Sequence, residues 1–202
     1  MSRIPANKAT LAQQQRLLET YREFLPSLDL KRRQLLARRA EERRALEAVE
    51  RRRSAFASEL GPRLPMLANA SIDLDGLVVL EAVDRSEENL LGVHLPVLGT
   101  VTLRTAPYAR LGRPHWVDAV AAALEERIRL DLECEVRRER VRRLSEALAE
   151  LTRRVNLFEK VLIPRALATI RRVELALADA ARFATVRAKI AKAKAAREPA
   201  AP

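Results

Sequence analysis

Glycine is missing from most of this 202-residue sequence. The five glycines, Gly61, Gly76, Gly92, Gly99 and Gly112, all fall between residues 61 and 112. Glycine punctuates regular structure, so its absence elsewhere divides the chain into a long flank, an irregular middle and a second long flank. Aromatic residues are also scarce, at 3%. Phe, Tyr and Trp each bury a large area, and so few of them argue against a globular core of ordinary make-up. One cysteine, Cys134, excludes an intramolecular disulfide and fits a reducing compartment. No apolar run approaches the roughly 20 residues needed to cross a bilayer. Residues 1–10 have no signal-peptide apolar region, so a cytoplasmic, soluble location is expected.

Leu, Ala, Arg and Glu dominate instead, a composition typical of long helices and coiled coils. The first arm, from about Lys8 to Leu60, carries two rows at heptad spacing. One row holds Leu11, Leu18, Leu25, Arg32, Arg39, Leu46, Arg53 and Leu60, and the other Gln14, Tyr21, Leu28, Leu35, Glu42, Val49 and Phe56. Apolar residues every 3.5 positions keep one stripe facing a partner helix, although Arg32, Arg39 and Glu42 interrupt this one. Pro26 removes a backbone donor inside the pattern and is expected to kink or break the helix.

The second arm, 114–195, opens with Pro114 and with Asp118 in its first turn. Its register is cleaner, running through Val141, Leu144, Leu148, Leu151, Val155, Phe158 and Leu162. After Pro164 the phase slips by one residue and continues through Ala166, Ile170, Val173, Leu177 and Ala180. The middle region, 61–113, holds short β-like runs at Gly76–Val83, Val93–Val97 and Gly99–Thr105. The expected fold is mostly α: a long antiparallel two-helix coiled coil of arms 1–60 and 114–195. A β-hairpin region at 61–113 caps its far end, and 196–202 form a disordered tail.

The net charge of +11 points to an acidic partner: nucleic acid, a membrane surface or an acidic protein cavity. The excess lies on the arms, six positive charges on 1–60 and six on 115–202, against one negative on 61–114. No phosphate loop or dinucleotide-binding turn is present. His94, His115 and Cys134 fit no metal-ligand spacing, and Glu41-Glu42, Glu87-Glu88 and Glu125-Glu126 read as solvated faces, so no catalytic site, cofactor or metal is expected. Trp116 reads as a packing residue where the middle joins the second arm. Lys31-Arg32-Arg33, Arg51-Arg52-Arg53, Arg137-Arg138 and Arg142-Arg143 have the charge to track phosphates. They are interspersed with Glu at helix-neighbour spacing, and aromatics to stack on bases are nearly missing, so no nucleic-acid partner is expected. The end Lys189–Lys194 offers one apolar residue, too little for direct membrane insertion. A stand-alone coiled-coil scaffold, or a basic nucleic-acid binder, remains the alternative that these patterns allow.

One run is more specific than the rest: Thr152-Arg153-Arg154-Val155-Asn156-Leu157-Phe158-Glu159-Lys160-Val161-Leu162-Ile163-Pro164-Arg165. It resembles the T-R-R-V-N-A-L-E-x-V-x-I-P stretch of the D subunits, the central-stalk subunits of V-type (V/A-type) rotary ATPases. Asn7-Lys8-Ala9-Thr10-Leu11 is similar to that family's opening, Leu28, Lys31, Arg32 and Leu35 fall on its L-x-x-K-R-x-x-L pattern, and Gly92-Val93-His94-Leu95-Pro96 resembles its G-V-x-x-P turn. Pro26 and Arg33 depart from the family pattern.

The resemblance implies a non-catalytic rotor axle that transmits torque between a nucleotide-binding hexamer and an ion-translocating membrane ring. The partners it implies are the A and B subunits, together with the F and the membrane-proximal C/d subunits of a V-type ATPase, and it implies peripheral attachment to the membrane through them. Within the specific run, Arg153, Arg154, Asn156, Glu159 and Arg165 are expected as polar partner contacts. Val155, Phe158 and Leu162 are expected against the first arm, with Pro164 setting a bend.

Overall fold

A computed structural model describes residues 5–65, 74, 76–107 and 116–195. The expectations for Pro114, His115 and the tail 196–202 lie outside the described residues. The elements in order are α1 (Lys8–Arg63), β1 (Val78–Leu90), β2 (Val93–Thr105), α2 (Val117–Leu157), a π-helical turn (Phe158–Leu162) and α3 (Ile163–Ala195). The fold is mostly α, with a two-stranded antiparallel hairpin between the long helices. The chain forms two compact units. One takes the described residues up to Leu30 and from Leu151 on; the other takes Lys31–Glu150.

Helix α1 starts where Asn7 caps it: the Thr10 N–H donates to Asn7 Oδ1 at 2.7 Å, satisfying one donor that the first turn leaves unpaired. The helix then runs through Pro26 without interruption, against the break expected from sequence. Proline still withdraws one N–H, but the hydroxyl of the next residue, Ser27, donates to the Phe24 carbonyl at 2.8 Å within the same turn. Pro26 itself is exposed, and so is Phe24, while the heptad positions on either side, Tyr21, Leu25 and Leu28, are partly covered. The apolar stripe decides the outcome, because a break would expose it on both sides.

In the first unit the start of α1 packs antiparallel on the C-terminal arm. Leu18, Ala166 and Ile170 form a buried cluster closed by Leu11, Ile163 and Leu167. The Tyr21 ring meets Phe158 edge-on, centroids 5.4 Å apart. In the second unit, Val49 of α1 packs with Leu130 and Cys134 of α2, with Phe56 alongside. There α2 is covered on two sides, because Val136 lines a cleft shared with Pro96, Val97 and Leu98 of the hairpin.

The hairpin departs from the sequence reading. Strand β1 continues through Asp84–Leu90, a polar stretch that period-two apolar patterning does not detect, and Gly99 lies inside β2 instead of starting a strand. The polar half is a strand because β2 supplies its ladder while most of its side chains stay in solvent. The turn is two residues, Leu91 (φ 54°) and Gly92 (φ 82°), with Leu90 opposite Val93. Positive φ at both positions matches the twist of the strands, and the Gly92 N–H donates to Asn89 Oδ1 at 2.9 Å. The root is apolar: Leu77 is buried with Val117, Val120 and Ala121, and Trp116 packs against them as the sequence suggests. From that root the strands run back along the helices. A Cβ at Gly92 would stand 3.6 Å from the Lys31 ammonium, so the turn lies beside α1 far from the root. The region called a cap from sequence is thus also a third layer along the helix pair.

Candidate functional site

The specific run of the sequence occupies the junction of α2, the π-helical turn and α3, within the first unit. Its local geometry answers both to Pro164 and to the phase of the packing on either side. Pro164 has no N–H for the Lys160 carbonyl, and its ring would crowd that carbonyl in a regular helix. Widening the preceding turn relieves the conflict, and the Ile163 N–H reaches back five residues to the Phe158 carbonyl. The wider turn adds one residue of helical phase. That is the slip visible in the apolar pattern: Leu151 and Val155 before it, and Ala166, Ile170 and Val173 after it, are all buried.

Val155 is 2% exposed, while Phe158 and Leu162 are only half-buried. Pro164 is exposed. Arg153, Arg154, Glu159 and Arg165 stand in solvent and Asn156 is half-buried. Leu157 and Val161, four residues apart and therefore on one helix face, are each almost half exposed among these charges. Among the described residues, Arg153, Glu159 and Arg165 make no ion pair, so an apolar pair ringed by uncommitted charge faces outward here. Further along, Phe183, Val186 and Ile190 of α3 are exposed at helical spacing beside Arg182, Arg187 and Lys189.

The basic runs Arg137-Arg138 and Arg142-Arg143 are committed within the chain. Arg138 pairs with Glu50 at 2.6 Å and Arg137 with Glu42 at 3.3 Å. Arg140, which no sequence pattern singled out, joins three elements of the second unit. It reaches Glu42 of α1 at 2.7 Å, Glu88 of β1 at 3.3 Å and the Pro96 carbonyl of β2 at 3.0 Å. Arg143 donates to the His94 carbonyl at 2.8 Å and pairs with Glu87 at 3.3 Å. The available signal was Glu42 itself: a carboxylate in the apolar row of α1 requires a cation from the facing helix.

Glu139 accepts hydrogen bonds from Arg142 at 2.6 Å and from Arg143 at 2.8 Å. These two guanidiniums, Arg142 foremost, hold its carboxyl at about 2, well below the ordinary carboxylate range. A depressed folded-state pKa contributes stability that is complete above the unfolded carboxylate value and is lost as pH falls through the folded one. Glu139→Gln should therefore lower stability by about 1 kcal/mol near neutral pH, a figure discounted for the group's partial exposure. The difference from the unaltered chain should shrink as pH falls from 4.5 toward about 2. Chemical denaturation along a pH series reads it, and a pH-independent difference would place the effect in packing instead of charge.

Among the described residues, no group of three or more His, Cys, Asp or Glu side chains is placed to hold a metal ion, and no helix is long and apolar enough to cross a membrane. His94 lies exposed on β2, its Nδ1 3.8 Å from a Glu87 oxygen. Comparison with known proteins gives one family. The model of the D subunits of ATP synthases matches residues 10–193. The V-type ATP synthase D subunit of Borreliella burgdorferi is 27% identical over 192 residues, covering 95% of both chains. The Chlamydia muridarum protein of the same name is 30% identical over 200 residues, covering 96% of both, and that of Chlamydia felis is 33% identical over 184 residues, covering 88% of this chain and 85% of its own. The chain belongs to the family of V-type ATP synthase D subunits, components of rotary ATPases.

Proposed function

We propose that this protein is the central-stalk axle of a V/A-type rotary ATPase. It carries torque between a hexamer of A and B subunits and an ion-translocating membrane ring, and so couples ATP hydrolysis or synthesis to H⁺ or Na⁺ transport. The observation that carries the reading is the match to the family of ATP synthase D subunits over 10–193, together with the outward face of the run that most resembles it. The chain itself is non-catalytic in this reading, with the nucleotide sites on its partners. The F and the membrane-proximal C/d subunits complete its contacts, and its attachment to the membrane is peripheral.

The mechanical logic rests on asymmetry. A rotor whose faces differ meets three chemically alike interfaces differently, and biases each toward a different open or closed state. Coupling is reciprocal, so nucleotide turnover turns the rotor and a driven rotor makes ATP. The first unit holds both helical termini and the uncovered Phe183, Val186 and Ile190, which favours it as the part that enters the hexamer. Arg153, Arg154, Asn156, Glu159 and Arg165 are assigned as contacts to the surrounding subunits, and Pro164 to the bend.

Reconstitution tests the assignment. The chain is expected to co-purify stoichiometrically with A and B subunits, and the assembled complex to couple ATP hydrolysis to rotation of a bead on the stalk. Pro164→Ala should lower torque or coupling. A chain that self-associates and ignores these subunits would return the scaffold alternative; unchanged torque in Pro164→Ala would remove the bend from the mechanism.

A further inference from the structure

The two halves of the hairpin are held to the helices by different chemistry, and a line of irregular pairing separates them. Near the root, Leu77 is buried against Val117, Val120 and Ala121, and Val78 packs on the same cluster. Toward the turn, Leu95 is fully buried and Leu90, Val93, Pro96, Val97 and Leu98 are half-buried, and here ionic and polar attachments join the apolar ones. Arg140 holds Glu88 and the Pro96 carbonyl, Arg143 holds Glu87 and the His94 carbonyl, and Arg85 reaches Glu135 at 3.4 Å.

Between the halves the ladder slips twice. Leu80 pairs with Leu103 but Ala82 with Thr102, leaving Glu81 extra on β1; Val83 pairs with Val101 but Arg85 with Leu98, leaving two β2 residues opposite Asp84. Such bulges loosen the ladder and let a ribbon bend. Gly99 sits at the second slip, where a Cβ would stand 2.7 Å from Asp84 Oδ2, so the Asp84 side chain folds across a site kept free of any other.

Two clefts flank the turn-side half. A cleft of about 410 Å³ on one flank is lined by Glu42, Glu133 and Arg137 of the helices and by Val97 and Leu98 of β2. A second, of about 610 Å³, lies between Arg85–Glu87 and the α2 residues Arg138 and Arg142. Arg140 Nε is buried here with no hydrogen-bond partner, so the closed arrangement leaves a donor unpaired that water would satisfy on opening. Arg140 keeps Glu42 when the hairpin departs, because that pair joins α1 to α2.

We propose that residues 85–98 form a strap that lifts from the helix pair about the bulge line while the root, 78–80 with 103–105, stays docked. Lifting uncovers Leu95 and Val136 and frees Glu87 and Glu88. Its latch is ionic, so added salt loosens it, whereas the apolar root does not respond in that direction.

Hydrogen exchange of the full chain, read by mass spectrometry with peptides that separate the two halves, tests this. An undocked two-stranded ribbon is marginal in water, so strap amides should exchange at least about tenfold faster than root amides. The gap should widen with sodium chloride. Arg140→Met should speed the strap further and leave the root unchanged. Glu88→Gln, which spares the α1–α2 pair, should do the same to a smaller extent. A common exchange rate for strap and root, moving together with salt and in both variants, would overturn the proposal.

Discussion

Inserting one alanine after Lys160 should destabilise the first unit more than any single substitution in it. The π-helical turn supplies one residue of phase between Leu151 and Val155 on one side and Ala166, Ile170 and Val173 on the other. A second extra residue exceeds what the turn holds and rotates everything after it by about 100° around the helix axis. Ala166, Ile170 and Val173 then leave the interface with α1, and exposed neighbours such as Arg165 and Arg172 turn into it. At about 25 cal/mol per Å² of apolar surface, loss of burial at these positions costs roughly 3–6 kcal/mol, before the cost of burying charge. Pro164→Ala keeps the residue count, so burial still requires the wide turn, and should cost less than about 1 kcal/mol in stability. Thermal unfolding of the two variants compares them. Equal stabilities would mean that the turn follows from the proline alone and that downstream packing does not fix the phase.

The second large effect is expected at Glu42. Its side chain is 16% exposed, that of Arg140 13%, and they meet at 2.7 Å. Glu42→Ala leaves Arg140 without its shortest partner and Arg137 with one carboxylate fewer, and should cost about 2–4 kcal/mol. Replacing both partners with apolar residues of similar volume, Glu42→Leu with Arg140→Met, removes the uncompensated charge and should bring stability back to within about 1 kcal/mol of the unaltered chain. Urea denaturation of the two single variants and the double variant closes the cycle. Simple addition of the two single losses would show that the groups act separately and that the short contact carries no coupling.

These two sites also mark where the sequence was readable and where it was not. Heptad spacing located the buried stripe of α1 through Leu18, Leu35 and Val49, and that of α2 through Leu144, Leu148 and Leu151, because a helix face repeats too regularly to be hidden. The slip after Pro164 was visible as arithmetic, although the widened turn that produces it was not. Arg32, Arg39 and Glu42 looked like flaws in the stripe; at Glu42 the flaw is one half of a pair whose other half, Arg140, lies 98 residues away. No local pattern carries that distance. Pro26 misled because propensity was weighed without the covered positions Leu25 and Leu28 beside it. The polar half of β1 escaped because its strand character comes from its partner and not from its own side chains. Of the candidate contact residues, the sequence supplied positions and the structure their exposure. Arg153, Arg154, Glu159 and Arg165 face solvent, while Asn156 sits at the edge of the packed face.

The one sulfhydryl of the chain has a practical consequence. Cys134 is fully buried between α1 and α2, packed on Val49 and Leu130, where a thiol behaves as a small apolar group and is shielded from alkylating reagents. A cysteine introduced at an exposed position outside the assigned contacts, such as Ser58, would therefore be the sole accessible attachment point on the chain. A fluorophore or gold particle coupled there, without removing the native thiol, would follow one defined face of the protein through the working cycle of its assembly.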